Sequence, residues 1–380
     1  MNFTVHSDDM KYGLSMVIRA LPVRTNKDEL TGVLIESEQD MLALTCTDGE
    51  MSIRTRVNAQ IGDEGTALLP AKLFTDLFRL QNAGEYHVSI ESAENEACRR
   101  ARIKGPGNSS TMVCMDADNY PDITDIQDHN IIRVPCNRFK DGTGHVLFAL
   151  SNNMDETRRI LTGVLIETEA EETRLVGLDG FKLSLQRIQA QNTLPEGKTK
   201  ERLIVPGRVM NELSKILPDT EDELTIHYNK TSIQFSFGSV TLCSPLLIGE
   251  FIDYASIMPK EAATDLIISR SMLTSAAERC GVVASEGKNN LIRIKILSSG
   301  TLEMTANSDM ADILEQIECE VHGNDLTIAF NVNYLIDILK NVPDDEMHMC
   351  FNSMISPCLI QPTEGDHYQF LLLPVRVFAK

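Results

Sequence analysis

The 380-residue chain has no tryptophan, and only 5% of its residues are aromatic. A platform that stacks successive bases on aromatic rings is therefore disfavoured. No apolar run approaches the ~20 residues a membrane-spanning helix needs. Nine cysteines are present, but no two stand at Cys-x-x-Cys spacing. That excludes a zinc ribbon or a thioredoxin-like pair. The odd cysteine count and the lack of a signal-like leader point to a reducing, cytoplasmic setting. Positive charge is also scarce, with 35 Lys and Arg against 55 Asp and Glu, a net charge of −20. Taken alone, that opposes nucleic-acid binding, which is driven by cations displacing counterions.

Catalytic and ligand motifs are missing too. Pro195-Glu-Gly-Lys-Thr199 carries the tail of a phosphate loop, but Asn192 stands where the motif needs its first glycine. It reads as a turn. Asp116-Ala-Asp118-Asn-Tyr-Pro121 begins like a calcium loop, yet Pro121 occupies the glycine position. The eight histidines show no HxH or HExxH spacing, and no G-x-S-x-G elbow occurs. The expectation is no catalytic residue, no metal and no cofactor. A cysteine–histidine pair that meets only in space stays open as an alternative.

What is present is a repeat. Leu30-Thr-Gly-Val-Leu-Ile-Glu36 recurs unchanged as Leu161-Thr-Gly-Val-Leu-Ile-Glu167, 131 residues later. Asp48-Gly49 recurs at the same offset as Asp179-Gly180. Each copy reads as two strands and a turn. A helix follows in each, opened by Leu69-Pro70-Ala71-Lys72-Leu73 and by Val205-Pro206-Gly207-Arg208-Val209. A third helix over 330–342 has the equivalent place near the C-terminus. Strands are expected after all three, at Tyr86–Ser92, Leu224–Lys230 and Met347–Ser353.

Each copy also opens with a helix. Met10, Leu14, Val17, Ile18 and Leu21 form one buried stripe, with Ser7 as its cap. Residues 137–150 are the second such helix. Residues 269–284 are the third, with Met272, Leu273, Ala276, Cys280 and Val283 inward. The chain therefore reads as three α+β units, 1–128, 129–259 and 260–380.

The cations follow the repeat. Lys72 and Arg79 stand seven residues apart on one helix; Arg208 and Lys215 match them, and Asn333 and Lys340 take the third place. Such a face could meet phosphates without reading sequence. It could equally be a solvated helix face, because Asp76, Glu212 and Asp337 each stand four residues after the first member of the pair.

Taken together, the chain resembles the bacterial DNA polymerase III beta subunit family of replicative sliding clamps. The resemblance rests on Met1-Asn-Phe-Thr-Val5, Thr47-Asp-Gly-Glu50, Val205-Pro206, Asp253-Tyr254 with Met258-Pro259-Lys260, Phe330-Asn331-Val332 and Leu372-Leu-Pro-Val-Arg376. It implies three repeated DNA-clamp domains, each with two helices packed on antiparallel sheet. It implies a head-to-tail homodimer, a ring of six similar domains that duplex DNA threads. The implied role is a non-catalytic processivity factor, which takes part in polymerase activity only through the holoenzyme.

The resemblance also implies DNA contacts by Arg24, Lys72, Arg79, Arg158, Arg159, Arg208, Lys215 and Lys340. It further implies a groove that takes short peptides from the polymerase III alpha subunit, the clamp loader, other polymerases and repair proteins. The matching positions are Leu161, Leu178, Gly180, Phe181, Lys182, Leu183, Ile252, Ile257, Ile355, Leu372, Leu373, Pro374, Val375 and Arg376. Read from the residues themselves, this is an apolar groove rimmed by a few cations; Leu161, Leu183 and Ile257 could equally be ordinary core.

The chain departs from the family pattern at several places. Leu178 stands for a usual Thr, Phe181 for His or another polar residue, Lys182 for Arg and Ile252 for Pro. Phe378-Ala379-Lys380 run past the usual end. The groove should accordingly be more apolar. Two other readings stay open: a repeat-built scaffold with no role on DNA, and an enzyme with a cysteine nucleophile.

Overall fold

In the computed structural model, the described residues are 1–92, 99–123, 126, 130–152, 156–259, 261–287 and 289–376. The side chains of 92 and 156–158 are outside the description. So are Cys98, the expected boundary Asp128, Lys260, the Arg158 side chain and Phe378-Ala379-Lys380.

Six helices are found among the described residues: α1 Ser7–Val17, α2 Ala71–Arg79, α3 Cys136–Leu147, α4 Gly207–Ile216, α5 Arg270–Ser285 and α6 Val332–Leu339. They stand where the repeat predicts two per copy. Two details differ from expectation. His6, not Ser7, caps α1, its Nδ1 accepting from the Asp8 N–H at 3.3 Å. Met272 is 51% exposed rather than inward, because the buried stripe of α5 runs through Leu273, Ala276, Ala277, Cys280 and Ala284.

The chain folds into two compact units, Met1–Asn137 with Lys215–Leu246, and Arg138–Ser214 with Leu247–Lys380. The middle third of the sequence is thus shared between them. In the first unit, Val240–Cys243 pairs antiparallel with Thr55–Ser52, so a strand of the middle third extends the sheet of the first. In the second unit, Lys182–Gln186 pairs antiparallel with Leu372–Tyr368, and the middle third joins the last in one continuous sheet. Cuts at the expected boundaries would leave the strands on both sides of each seam with open edges.

Among the described residues these strands pair antiparallel, so alternate residues face the helices and the other side. The repeated heptapeptides give matching strands, Gly32–Glu38 and Gly163–Thr168, and the Asp-Gly pairs give matching turns. Gly49 and Gly180 have φ of +93° and +95°, a region open chiefly to glycine. Asp48 Oδ1 accepts from the N–H groups of Glu50 and Met51, as Asp179 Oδ1 does from Phe181 and Lys182.

The main core of the second unit gathers α5, α6 and the strands around them, including Leu273, Cys280, Ile294, Phe330, Leu335 and Phe370. Within that unit α3 lies close against the strand Glu172–Leu178, where a Cβ built on Gly177 would stand 2.5 Å from the Val146 carbonyl oxygen. Gly177→Ala should therefore force the helix outward and destabilise the protein by about 1–3 kcal/mol, the usual cost of overpacking. Thermal unfolding checks this, and an unchanged midpoint would contradict the close packing.

Candidate functional site

The groove residues lie in the second unit, gathered at one end of its long sheet by strand register. Lys182 and Cys358 both stand opposite Leu372 on the central strand Tyr368–Leu372. The turn at Asp179–Phe181 and the loop at 352–357 therefore flank the point where the chain leaves that strand. Leu373 N–H donates to the Phe181 carbonyl at 2.9 Å, and Val375 N–H donates to the Ala329 carbonyl at 2.8 Å. These two bonds lay the run Leu373-Pro374-Val375 along the same end.

The expected groove set divides by burial. Leu161, Leu178 and Leu183 are buried in one cluster with Leu165, Phe251 and Tyr254, and Leu372 is buried as well. For Leu161 and Leu183 the core reading is the one the structure gives; they form a floor. Phe181, Ile252, Ile257 and Ile355 are exposed, at 50%, 42%, 37% and 60%. Met354, beside Ile355, is also exposed. No residue type but glycine could sit at 180 without strain, and the space above it is open.

Lys182 departs from the expectation of a cationic rim, whereas Arg376 is exposed. Its side chain is buried, its Nζ is 2.6 Å from Asp337 Oδ2, and it lies 5.2 Å and 5.5 Å from the ring centroids of Tyr334 and Phe148. Asp337, which by spacing is a local partner on its own helix, instead holds this lysine. The ammonium is already neutralised and enclosed by rings, so it pins α6 to the Asp-Gly turn. The same pin sets Tyr334 against Phe181, ring centroids 5.3 Å apart and planes 21° from parallel. Sequence spacing marks Tyr334 only as part of a helix; an aromatic one turn into a helix that follows a groove-lining turn is the available signal.

Beside the groove floor lies a buried carboxylate that sequence spacing does not reveal. The Glu167 side chain is 0% exposed. It receives the Tyr254 hydroxyl at 2.5 Å, Arg202 Nε at 2.7 Å, Lys200 Nζ at 2.8 Å and Arg174 Nη1 at 3.2 Å. A cavity of about 250 Å³ adjoins it, lined by Arg174, Arg187, Lys200, Tyr254 and Met258 among others. Burial pushes the Glu167 carboxyl up, but hydrogen bonds from Lys200, Tyr254 and Arg202 more than offset this and hold it below its ordinary range.

The cations expected on DNA are exposed in each unit wherever their side chains are described. Lys72 and Arg79 lie on α2, and Arg24 lies in the loop after α1. Arg208 and Lys215 lie on α4; Lys340 caps the end of α6 rather than lying within it. Arg159 is exposed in the turn Glu156–Thr162, which also holds the Arg158 backbone. Arg79 pairs with Asp76 at 3.1 Å, and Lys340 with Glu278 at 3.6 Å. Exposed pairs like these hold their partners weakly, by about 0–1 kcal/mol, and leave the cations able to meet phosphate.

Among the described residues no helix is long and apolar enough to cross a membrane, and no group of His, Cys, Asp and Glu is arranged to hold a metal. Burial raises the thiols of Cys46 and Cys358 well above their ordinary value and pushes Cys280 and Cys350 to about 11. Such thiols stay protonated and are poor nucleophiles.

A helix-and-sheet unit present twice, a third, diverged copy of it and exposed cations on matching helices define a clamp-type architecture. The chain belongs to the DNA polymerase III beta subunit family: models of its N-terminal, central and C-terminal domains match residues 1–124, 133–253 and 255–376. It is 27% identical over 388 residues to the beta sliding clamp of Bacillus subtilis and 28% identical over 388 residues to that of Halalkalibacterium halodurans, with all of each chain covered. The crystal structure of the Bacillus subtilis clamp superposes with a TM-score of 0.91 at 27% identity, over the whole of both chains. The chain is accordingly a non-catalytic processivity factor of DNA replication.

Glu167→Gln should cost about 3–5 kcal/mol, because it leaves buried cations uncompensated. A depressed carboxylate gives stability that is full above its unfolded value, about 4.3, and lost as pH falls through the lower folded value. Denaturant unfolding of the two proteins should therefore show a constant gap from pH 7 to 5 that closes only in stronger acid. A gap that closes near neutrality would contradict the assignment.

Proposed function

We propose that two copies of this chain close head to tail into a ring that duplex DNA threads, and that the groove of the second unit takes short peptides from DNA polymerases and their loader. The observation that carries the reading is the recurrence of exposed cations at matching places on matching helices: Lys72 and Arg79, Arg208 and Lys215, and Lys340. In an acidic chain that placement puts cations at equivalent positions of the repeat, and Arg24, Arg158 and Arg159 would add to them. Sequence-blind contacts to phosphate allow sliding, and enclosure removes the need for tight binding. In this reading the chain comprises three domains, 1–128, 129–259 and 260–380, and works in the cytoplasm.

The sheet edges support the dimer. The outer strand of the first unit, Asn108–Val113, lies beside Arg99–Gly105, which exposes Arg99, Arg100, Arg102 and Lys104. The outer strand of the four-stranded sheet in the second unit, Asp312–Glu318, carries three acidic residues and no cation. Each edge also exposes an apolar side chain, Val113 on one and Leu314 on the other. An open edge beside a basic strand and an open acidic edge, on different patches, favour a heterologous contact, and two such contacts close a ring of two.

For the groove, Phe181, Ile252, Ile257 and Ile355 are the contact residues. Leu161, Leu178, Leu183 and Leu372 support them from below, and Lys182 holds the turn. Gly180 leaves room for a ligand, and Leu373, Pro374, Val375 and Arg376 border it. The partners in this reading are the polymerase III alpha subunit, the clamp loader, other polymerases and repair proteins.

Sedimentation should give a dimer at micromolar concentration, and Leu314→Lys should shift it toward monomer. A wild-type monomer would overturn the ring. After loading, the protein should remain on nicked circular DNA and slide off linear DNA. Reversing charge at Lys72, Arg79, Arg208 and Lys215 together should abolish polymerase stimulation on primed circles. Undiminished stimulation would remove these helices from the DNA face. A short fluorescent peptide with leucine and phenylalanine anchors should bind the wild type and bind Phe181→Ala at least several-fold more weakly. Equal binding would exclude Phe181 as a contact.

A further inference from the structure

We propose that Tyr254, through its bond to the buried Glu167 carboxylate, is the positioning residue of the peptide groove: it fixes the wall segment 251–258 on which Ile252 and Ile257 are presented. This rests on the groove reading above.

The wall has little backbone support of its own. Outside a single turn at Tyr254–Ile257 it belongs to no helix or strand. Its internal backbone bonds are short-range, from Tyr254 N–H to the Ile252 carbonyl and from Ser256 N–H to the Asp253 carbonyl. What ties it to the sheet is side chains: Phe251 and Tyr254 are buried in the groove-floor cluster and Met258 packs on it, while Ile252 and Ile257 stay exposed. Apolar packing alone allows sliding. A hydroxyl donating at 2.5 Å to a charged, fully enclosed carboxylate does not. Glu167 cannot turn away, because Arg202, Lys200 and Arg174 hold its other contacts.

The first copy of the heptapeptide provides an internal contrast. Glu36 is the same residue in the same strand register, but its cross-strand neighbours are Ala43 and Thr66, where Glu167 faces Arg174 and Arg202. Its side chain is one-third exposed and its cationic partner is Arg54 at 3.6 Å. The enclosed carboxylate therefore occurs in the copy that carries the groove. Identical strand sequence alone does not produce it.

The test uses the chain's lack of tryptophan. Ile257→Trp places a single fluorescent reporter on the wall. In that background, Tyr254→Phe should make the reporter about twofold more accessible to acrylamide, with no peptide present. Tyr86→Phe removes a hydroxyl bonded to Gln81 and Asn82 in the other unit, and should leave quenching unchanged even if it lowers the unfolding midpoint as much. Without the reporter, Tyr254→Phe should weaken peptide binding about tenfold, the size expected of one hydrogen bond to a charged group. Unchanged quenching in Tyr254→Phe, or an equal rise in Tyr86→Phe, overturns the proposal.

Hydrogen exchange on the unmodified chain needs no folded variant. The Tyr254 and Ser256 amides should be protected like those of the strand Lys182–Gln189, and exchange at the rate of an open loop overturns the assignment. A quenching difference in the Ile257→Trp background together with a wild type that binds no peptide would sink the groove reading and leave the positioning role standing.

Discussion

An unpaired strand edge is a free template for any other chain, and a protein must pair it, cover it or charge it. The organisation of this molecule follows from that constraint. Each third of the sequence makes sheets whose edges it cannot close alone. Val240–Cys243 closes one against Thr55–Ser52, and Lys182–Gln186 closes another against Leu372–Tyr368. The outer strands Asn108–Val113 and Asp312–Glu318 stay open within one chain. They stand in settings of opposite charge, which is the basis of the head-to-tail pairing proposed above.

The groove is a by-product of the second seam. Pairing sets Lys182 and Cys358 opposite the same residue, Leu372. Two turns and the outgoing chain then converge at one sheet end, with apolar side chains standing above an apolar floor. Two polar devices keep this assembly in register. Lys182, enclosed between rings and held by Asp337, ties a helix to a turn. Glu167, enclosed among cations, ties down the wall. Neither reaches a ligand as a charge, so both act through the apolar residues they place. The thiols follow the same pattern: those buried in the cores are kept protonated, so they serve as packing.

Much of this is legible in the sequence because the repeat makes it so. The identical heptapeptides and the Asp-Gly pairs mark equivalent strands and turns, and the Pro-led helices mark equivalent places for cations. What does not show depends on partners distant in sequence. Lys182 looks like a rim cation because its Asp337 lies 155 residues away. Met272 fits a buried stripe by spacing, yet the face that packs is set by the neighbouring strands, and the residue is exposed. Tyr334 looks like one more helix residue until Phe181 is seen stacked on it. Ser7 is a better cap by residue type, but His6 is the residue left in extended backbone at the helix entrance. The division of the middle third between two units leaves no mark on composition at all.

The paired glutamates at 36 and 167 show what duplication does to a residue. Both copies carry the same residue in the same strand. One stands at a surface where exchange for another polar residue would change little. The other is enclosed by three cations and a tyrosine hydroxyl, so its loss would leave buried charges uncompensated. Identity between the copies thus conceals opposite sensitivities. Tolerance to mutation at these two positions is set by their neighbours and not by the residue itself.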